Sequence, residues 1–239
     1  MRRALALLSI SLVCLAFTVC KPRHGCKDSR NLAQRSRSAR EPKISQLFPR
    51  VVEVFDGDTI LVQTGRGSKE KVRYLGIDAP ERGTPFYSAA TNFNRNLVQG
   101  KSVVLDLDND HPRDKYGRLL GSVLCEDPDK TRGGGHTSVS LGLVRMGLAR
   151  VYLKGKSALE HSMSKALIPC QRDAIDAKRG IWSDERNRLG PGGKNTRVEA
   201  TQFRFHSRDC PHFPGLKTKT MLRLEALLSG RSPCRSCNP

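Results

Sequence analysis

A chain of 239 residues with 37% apolar content has material for one core of ordinary size plus a small module, and not for a second large domain. Its formal charge of +19 sets polyanions as the partners to look for, through counterion release, with solubility and an anionic membrane surface as the competing explanations. That charge is uneven: residues 21–50 hold nine basic and two acidic groups, residues 51–182 hold twenty and sixteen, and residues 183–239 hold eleven and five.

Met1-Arg2-Arg3 and the uncharged run from Ala4 to Cys20 form a basic n-region and an apolar h-region. Residues 1–20 therefore read as a signal sequence, and the protein as exported, secreted or periplasmic. The run sits at the lower limit for a spanning helix, which keeps membrane association as the alternative. Ala16-x-Thr18 and Thr18-x-Cys20 both serve as cleavage sites; cleavage ranks ahead of lipid anchoring, because Val19 before Cys20 is large for a lipoprotein site. Residues 21–48, rich in Lys, Arg and Ser, have the composition of a disordered tether. The chain carries eight cysteines, and export allows them to pair. Cys125 and Cys170 are open to either a disulfide or two buried thiols.

From Val51 the pattern alternates through Val52 and Val54, turns at Asp56-Gly57, alternates again through Ile60 and Val62, and enters a third apolar run at Val72. That is a strand meander. Phe86, Ala90, Phe93 and Leu97 then mark one face of a helix closed by Gly100. Strands follow over residues 102–108 and 119–124. Five short strands around one helix suit a small closed barrel. Ser138 or Thr137 can cap a helix over 139–146. Residues 149–153 are extended, a last helix spans about 158–178, and Trp182 is positioned to seal the barrel's end.

Asp58, Arg73, Asp78 and Glu81 lie where the meander strands begin and end, and Arg118 follows Asp114-Lys-Tyr-Gly. Any one of them could be part of a solvated face. Together they supply two carboxylates for a hard cation, a third to orient water, and two guanidiniums to clamp a phosphate. Asp106, Asp108, Asp110 and Asp114 lack the glycine and closing glutamate of an EF-hand loop. His111, His136 and His161 have no partners at ligand spacing.

DGDT at 56–59, RYLGIDAPE at 73–81, DKYGR at 114–118 and GLARVY at 147–152 resemble the staphylococcal nuclease family, in the right order over about 130 residues. The resemblance implies an α+β fold, an OB-type five-stranded β-barrel with three helices. It implies calcium bound by Asp58, Asp78 and the Ala79 carbonyl. Glu81 would act on the attacking water, Arg73 and Arg118 on the scissile phosphate, and Lys115, Tyr116 and Tyr152 on neighbouring nucleotide groups. Lysine would replace neither arginine well, since a point charge lacks the guanidinium fork. The activity implied is calcium-dependent hydrolysis of DNA and RNA, leaving 3′-phosphate ends, by a monomer. The alternative is a non-catalytic OB-fold nucleic-acid-binding protein.

Beyond a Pro/Gly-rich linker at 185–197, residues 198–239 carry His206-x₃-Cys210 and Cys234-x₂-Cys237. Three thiolates and an imidazole complete a closed tetrahedron, which predicts a structural zinc, with disulfide pairing as the rival. FHSRDCP at 205–211 and RSPCRSCNP at 231–239 resemble the small zinc-binding domain related to the N-terminal part of the Ada DNA-repair protein, with His206 in place of a cysteine. That replacement leaves metal-held structure or DNA docking as its role. The expected layout is a signal sequence (1–20), a tether (21–48), a nuclease-like domain (49–184), a linker (185–197) and a zinc module (198–239). On this layout the tail is dispensable for turnover on short oligonucleotides.

Overall fold

In the computed structural model the described residues are 46–239, apart from 66, 109–110, 128–134, 154–161, 213–216 and 238. The stretch read as a signal sequence, nearly all of that read as a tether, Asp110 and His161 lie outside them. No helix among the described residues is long and apolar enough to cross a membrane.

The meander is β1 (Gln46–Leu47), β2 (Arg50–Val54), β3 (Thr59–Gln63) and β4 (Lys69–Tyr74). Plain alternation places Val52 and Val54 inward, but the pairing of β2 with β3 shifts register between Val51 and Glu53. The extra residue of that bulge puts Val51 and Val54 in the core and leaves Val52 partly exposed. After β5 (Ile77–Asp78) comes helix α1 (Tyr87–Val98), then β6 (Val104–Leu107), β7 (Leu119–Glu126) and β8 (His136–Ser138). The main sheet runs β1-β6-β7-β4-β3-β2, with β8 beside β7 and β4 parallel to β7. The backbone next to β2 also bonds the segment leading into β6: Val51 N–H donates to Lys101 O (2.9 Å), Gly100 N–H to Val51 O (3.0 Å) and Val103 N–H to Pro49 O (3.0 Å).

Helix α2 (Val139–Arg145) starts at Ser138, whose hydroxyl accepts from Leu141 N–H. Then come β9 (Arg150–Val151), antiparallel to β5, and α3 (Ser162–Asp176). The fold is thus α+β. The buried face of α1 differs from the predicted one: Ala90, Thr91, Asn94 and Val98 are buried, while Phe86, Phe93 and Leu97 are only partly so. Two polar residues occupy that face because Asn94 has polar work there, described below. Cys125 is a buried free thiol and Cys170 is disulfide-bonded, so the two neither pair with each other nor are both free.

The stretch read as a linker holds a short helix α4 (Glu185–Leu189) with Leu189 buried. The tail forms a second sheet, β12 (Lys219–Leu222), β10 (Arg197–Ala200), β11 (Arg204–His206) and β13 (Ser232–Pro233) in that order, with α5 (Arg223–Leu228) after β12. Its apolar side joins that of the preceding region. Val198, Phe205, Met221, Ala226 and Leu227 pack in one cluster with Ala174, Ile175, Ile181 and Trp182. Trp182 therefore seals the seam to the tail and not the end of the strand meander. Gln171, fully buried on α3, accepts from Val151 N–H through Oε1 (2.7 Å) and donates through Nε2 to Leu227 O (2.8 Å), tying β9 to α5. At the close of α5, Gly230 has φ +83°, and a Cβ there would come within 2.6 Å of the Ile168 side chain on α3.

The shared cluster changes the expectation for truncation. Removing residues 198–239 uncovers Trp182, Ile175 and Ile181, at roughly 1.5–3 kcal/mol per large apolar side chain. The shortened chain should melt on the order of 10 °C lower than the full chain, or aggregate. Thermal unfolding followed by circular dichroism checks this, and an unchanged midpoint would show that the seam contributes nothing.

Candidate active site

The loop between β2 and β3 is shaped by its own sequence. Asp56 accepts from Asp58 N–H through Oδ1 (2.9 Å), an Asx-turn that folds the carboxylate of Asp58 inward. Gly57 packs so closely that a Cβ would lie 2.7 Å from Ala79 Cβ and 2.8 Å from Ala90 Cβ, so no other residue fits. Helix α1 fixes the loop from outside: Asn94 donates to Asp56 O (2.9 Å) and accepts from the buried Tyr74 hydroxyl (2.8 Å). Asn94 is thus a positioning residue that apolar periodicity passes over.

Asp58 is 6% exposed, and its Oδ2 accepts from Ala79 N–H at 2.6 Å. Arg73 Nη2 lies 3.1 Å from Asp58 Oδ2 and 3.2 Å from Asp78 Oδ1, so two carboxylates already share one cationic nitrogen. Arg73 Nη1 donates to Tyr74 O. Asp58, Arg73, Asp78 and Ala79 are brought together as the motifs predicted. Burial pushes the Asp58 carboxyl up to about 7, further than the nearby Arg73 guanidinium pulls it down.

Asp78 pairs across the two-stranded ladder with Arg150, whose guanidinium burial pulls below its usual range against the attraction of Asp78. Glu81 stands exposed three residues further on. Arg118 immediately precedes β7, where Leu119 is paired with Val72, one residue from Arg73. Its guanidinium is held by Asp114 Oδ2, at 2.8 Å from Nε and 2.7 Å from Nη2. Tyr116, 70% exposed, lies under both Lys115 and Arg118, at 4.9 and 5.4 Å from its ring centre.

Tyr152 follows β9 and is covered by two tail guanidiniums, Arg204 at 4.8 Å and Arg235 at 5.4 Å from the ring centre. Arg235 also bonds Asp78 Oδ1, across 157 residues of sequence. Local pattern gave no signal for this contact.

In the tail, one ligand atom from each of His206, Cys210, Cys234 and Cys237 lies within 4.8 Å of the others. His206 Nδ1 is 3.4 Å from Cys210 Sγ, which is 3.9 Å from Cys234 Sγ. Ser207 N–H donates to Cys237 Sγ. Burial and the neighbouring Arg204 hold the His206 imidazole below its usual value, which favours the neutral, ligating form.

Residues 71–184 match the family model described as staphylococcal nuclease homologue. An uncharacterized endonuclease of Escherichia coli is 36% identical over 140 residues, which is 59% of this chain and 80% of that one. The endonuclease YncB of Bacillus subtilis is 38% identical over 102 residues, 40% of this chain and 44% of that one. The thermonuclease of Staphylococcus intermedius is 39% identical over 83 residues, 32% of this chain and 48% of that one. The chain belongs to the staphylococcal nuclease family, and it is a nuclease, a hydrolase of phosphodiester bonds.

Asp58 also sets a stability trade-off. With its pKa raised from 3.8 to about 7, the folded chain keeps a proton that the unfolded chain releases. The stability from this group is full below about pH 3.8 and is lost as pH rises through about 7. Asp58→Asn, neutral throughout, should make the metal-free protein more stable than wild type at pH 8 by on the order of 2–4 kcal/mol, with little difference at pH 4, while abolishing cleavage. Urea unfolding in chelator at both pH values tests this; identical pH slopes would refute it.

Proposed function

We propose that this nuclease is a calcium-dependent enzyme that cleaves DNA and RNA within the chain and leaves 3′-phosphate ends. The single observation that carries the reading is the convergence of Asp58 and Asp78 on one nitrogen of Arg73, at 3.1 and 3.2 Å. Carboxylate oxygens that share one cation at that distance suit a hard ion with oxygen ligands at about 2.3–2.6 Å. The family's general calcium dependence points the same way. Calcium would be held by Asp58, Asp78 and the carbonyl of Ala79, and when bound it would polarise the phosphate and help activate water.

Glu81, exposed beside the pair, is the group to take a proton from the attacking water. Arg73 and Arg118 then donate to the non-bridging oxygens of the scissile phosphate, stabilising the charge that grows in the pentacoordinate transition state. Asp114 holds the Arg118 guanidinium through its double contact. Lys115 and Tyr116, exposed at the turn before β7, meet the neighbouring phosphate. The scaffold proposed is an OB-type barrel, supported by the meander order and by the bonds from residues 49–51 to 100–103. Export, with the N-terminal segment as signal or membrane anchor, and a monomeric state complete the reading.

The tail is proposed as an Ada-like zinc module. With Zn–S near 2.3 Å, a tetrahedron sets its ligand atoms about 3.8 Å apart, and Cys210 Sγ and Cys234 Sγ are 3.9 Å apart. Three thiolates and His206 leave no open position, so the metal would be structural.

Two tests apply. Cleavage of single-stranded DNA should stop in chelator and return with calcium, and Arg73→Lys or Arg118→Lys should each lower turnover on the order of 10²-fold while folding survives. A lysine variant at wild-type turnover removes that arginine from the site, and 3′-hydroxyl products reject the cleavage direction. Metal analysis of the purified full chain should find one zinc, lost in Cys234→Ser; a disulfide among Cys210, Cys234 and Cys237 overturns the module.

A further inference from the structure

The tail reaches the nuclease site through two side chains that neither the family motifs nor the Cys/His cluster account for. We propose that Arg204 and Arg235, together with Tyr152, form a nucleotide subsite of the nuclease groove in which the tail's guanidiniums bind a substrate phosphate adjoining the scissile one. The proposal rests on the phosphodiesterase reading above.

Both guanidiniums lie on Tyr152, at 4.8 and 5.4 Å from its ring centre, and Arg204 also donates to its hydroxyl. Each contact leaves donors on the fork free for an anion. Arg235 reaches further, onto Asp78 Oδ1, an oxygen that Arg73 already contacts at 3.2 Å. Arg150 is the register partner of the same aspartate. Three arginines thus approach Asp78, with Asp58 on Arg73 and the Glu81 charge acting on Arg235 as further carboxylates among the described residues.

Arg235 is also built to move its tip and not its base. Its side chain is 57% exposed, whereas Cys234 before it is buried and donates its N–H to Phe205 O (2.9 Å). Cys237, two residues after Arg235, accepts from Ser207 N–H. The turn that carries the guanidinium is therefore pinned at both ends. A divalent cation between Asp58 and Asp78 would repel a guanidinium from Asp78 Oδ1, and a phosphate is the partner within its swing. Metal and polyanion would then favour each other's binding, with Arg235 passing from carboxylate to phosphate.

The experiment uses the full chain carrying Glu81→Gln to prevent cleavage, and a labelled eight-nucleotide single strand in calcium. Fluorescence anisotropy should show the dissociation constant rising about tenfold for Arg235→Ala and for Arg204→Ala, with Arg235→Lys in between. The salt slope of log K should fall by about one for each alanine variant. Unchanged melting temperatures establish that the variants are folded. Replacing the phosphates with neutral methylphosphonates should erase the difference between wild type and Arg235→Ala. Equal affinity of the charged strand for wild type and both alanine variants overturns the subsite. So does tighter DNA binding or cleavage at lower calcium in Arg235→Ala, since either result makes Arg235 a plug on Asp78. The underlying reading is checked apart, with Glu81 intact: calcium-dependent cleavage by the wild-type chain upholds it whatever Arg235 does, and none refutes it.

Discussion

Everything at the site depends on two carboxylates being held close enough to repel each other. Asp58 and Asp78 meet on a single nitrogen of Arg73, and Asp58 is buried enough that desolvation outweighs that guanidinium's pull. Ionising a carboxylate buried in this way costs several kcal/mol even beside its guanidinium, and folding tolerates it only where other groups hold the geometry. The holding groups are local and unglamorous: an Asx-turn at Asp56, a glycine with no space for a Cβ, the Ala79 N–H, and Asn94 reaching in from α1. A site kept under this strain is one that gains when a cation arrives.

The tail extends the same logic. It could have hung from a linker, but α4 is folded, Gln171 bridges β9 to α5, and Trp182 is buried in a cluster drawn from both regions. β9 supplies Arg150 opposite Asp78 and is followed by Tyr152, so the seam that attaches the tail also steadies one wall of the site. Stability and catalytic geometry thus share residues, and neither region can be considered alone.

Much of this was legible in sequence. The meander, the helix cap at Ser138, the grouping of Asp58, Arg73, Asp78 and Ala79, and the convergence of His206, Cys210, Cys234 and Cys237 all follow from spacing and motif. What escaped did so for physical reasons. A bulge adds one residue and flips the inward set of β2 from Val52 to Val51, and alternation carries no mark of it. Asn94 sits on a buried face because a polar loop needs it, whereas periodicity counts only apolar residues. Trp182 was legible as buried, but its tail partners lie in a sheet that begins well beyond it in the chain, at Val198, Phe205 and Met221.

Arg235 shows where sequence reading stops and why. Within Cys-x₂-Cys it is an unremarkable basic residue, since the motif accounts for the cysteines and leaves the two between them unconstrained. Its contact with Asp78 exists only because β11 and β13 run parallel and bring residue 234 beside Phe205, while Arg204 in the same strand reaches Tyr152. Two short strands thereby set the spacing of both guanidiniums on one tyrosine ring. A tetrahedral metal at the neighbouring thiolates would lock that spacing more firmly than hydrogen bonds in so small a sheet, because it fixes residues 206, 210, 234 and 237 at one point. On this argument a metal bound at that cluster would also organise the proposed subsite without meeting the substrate.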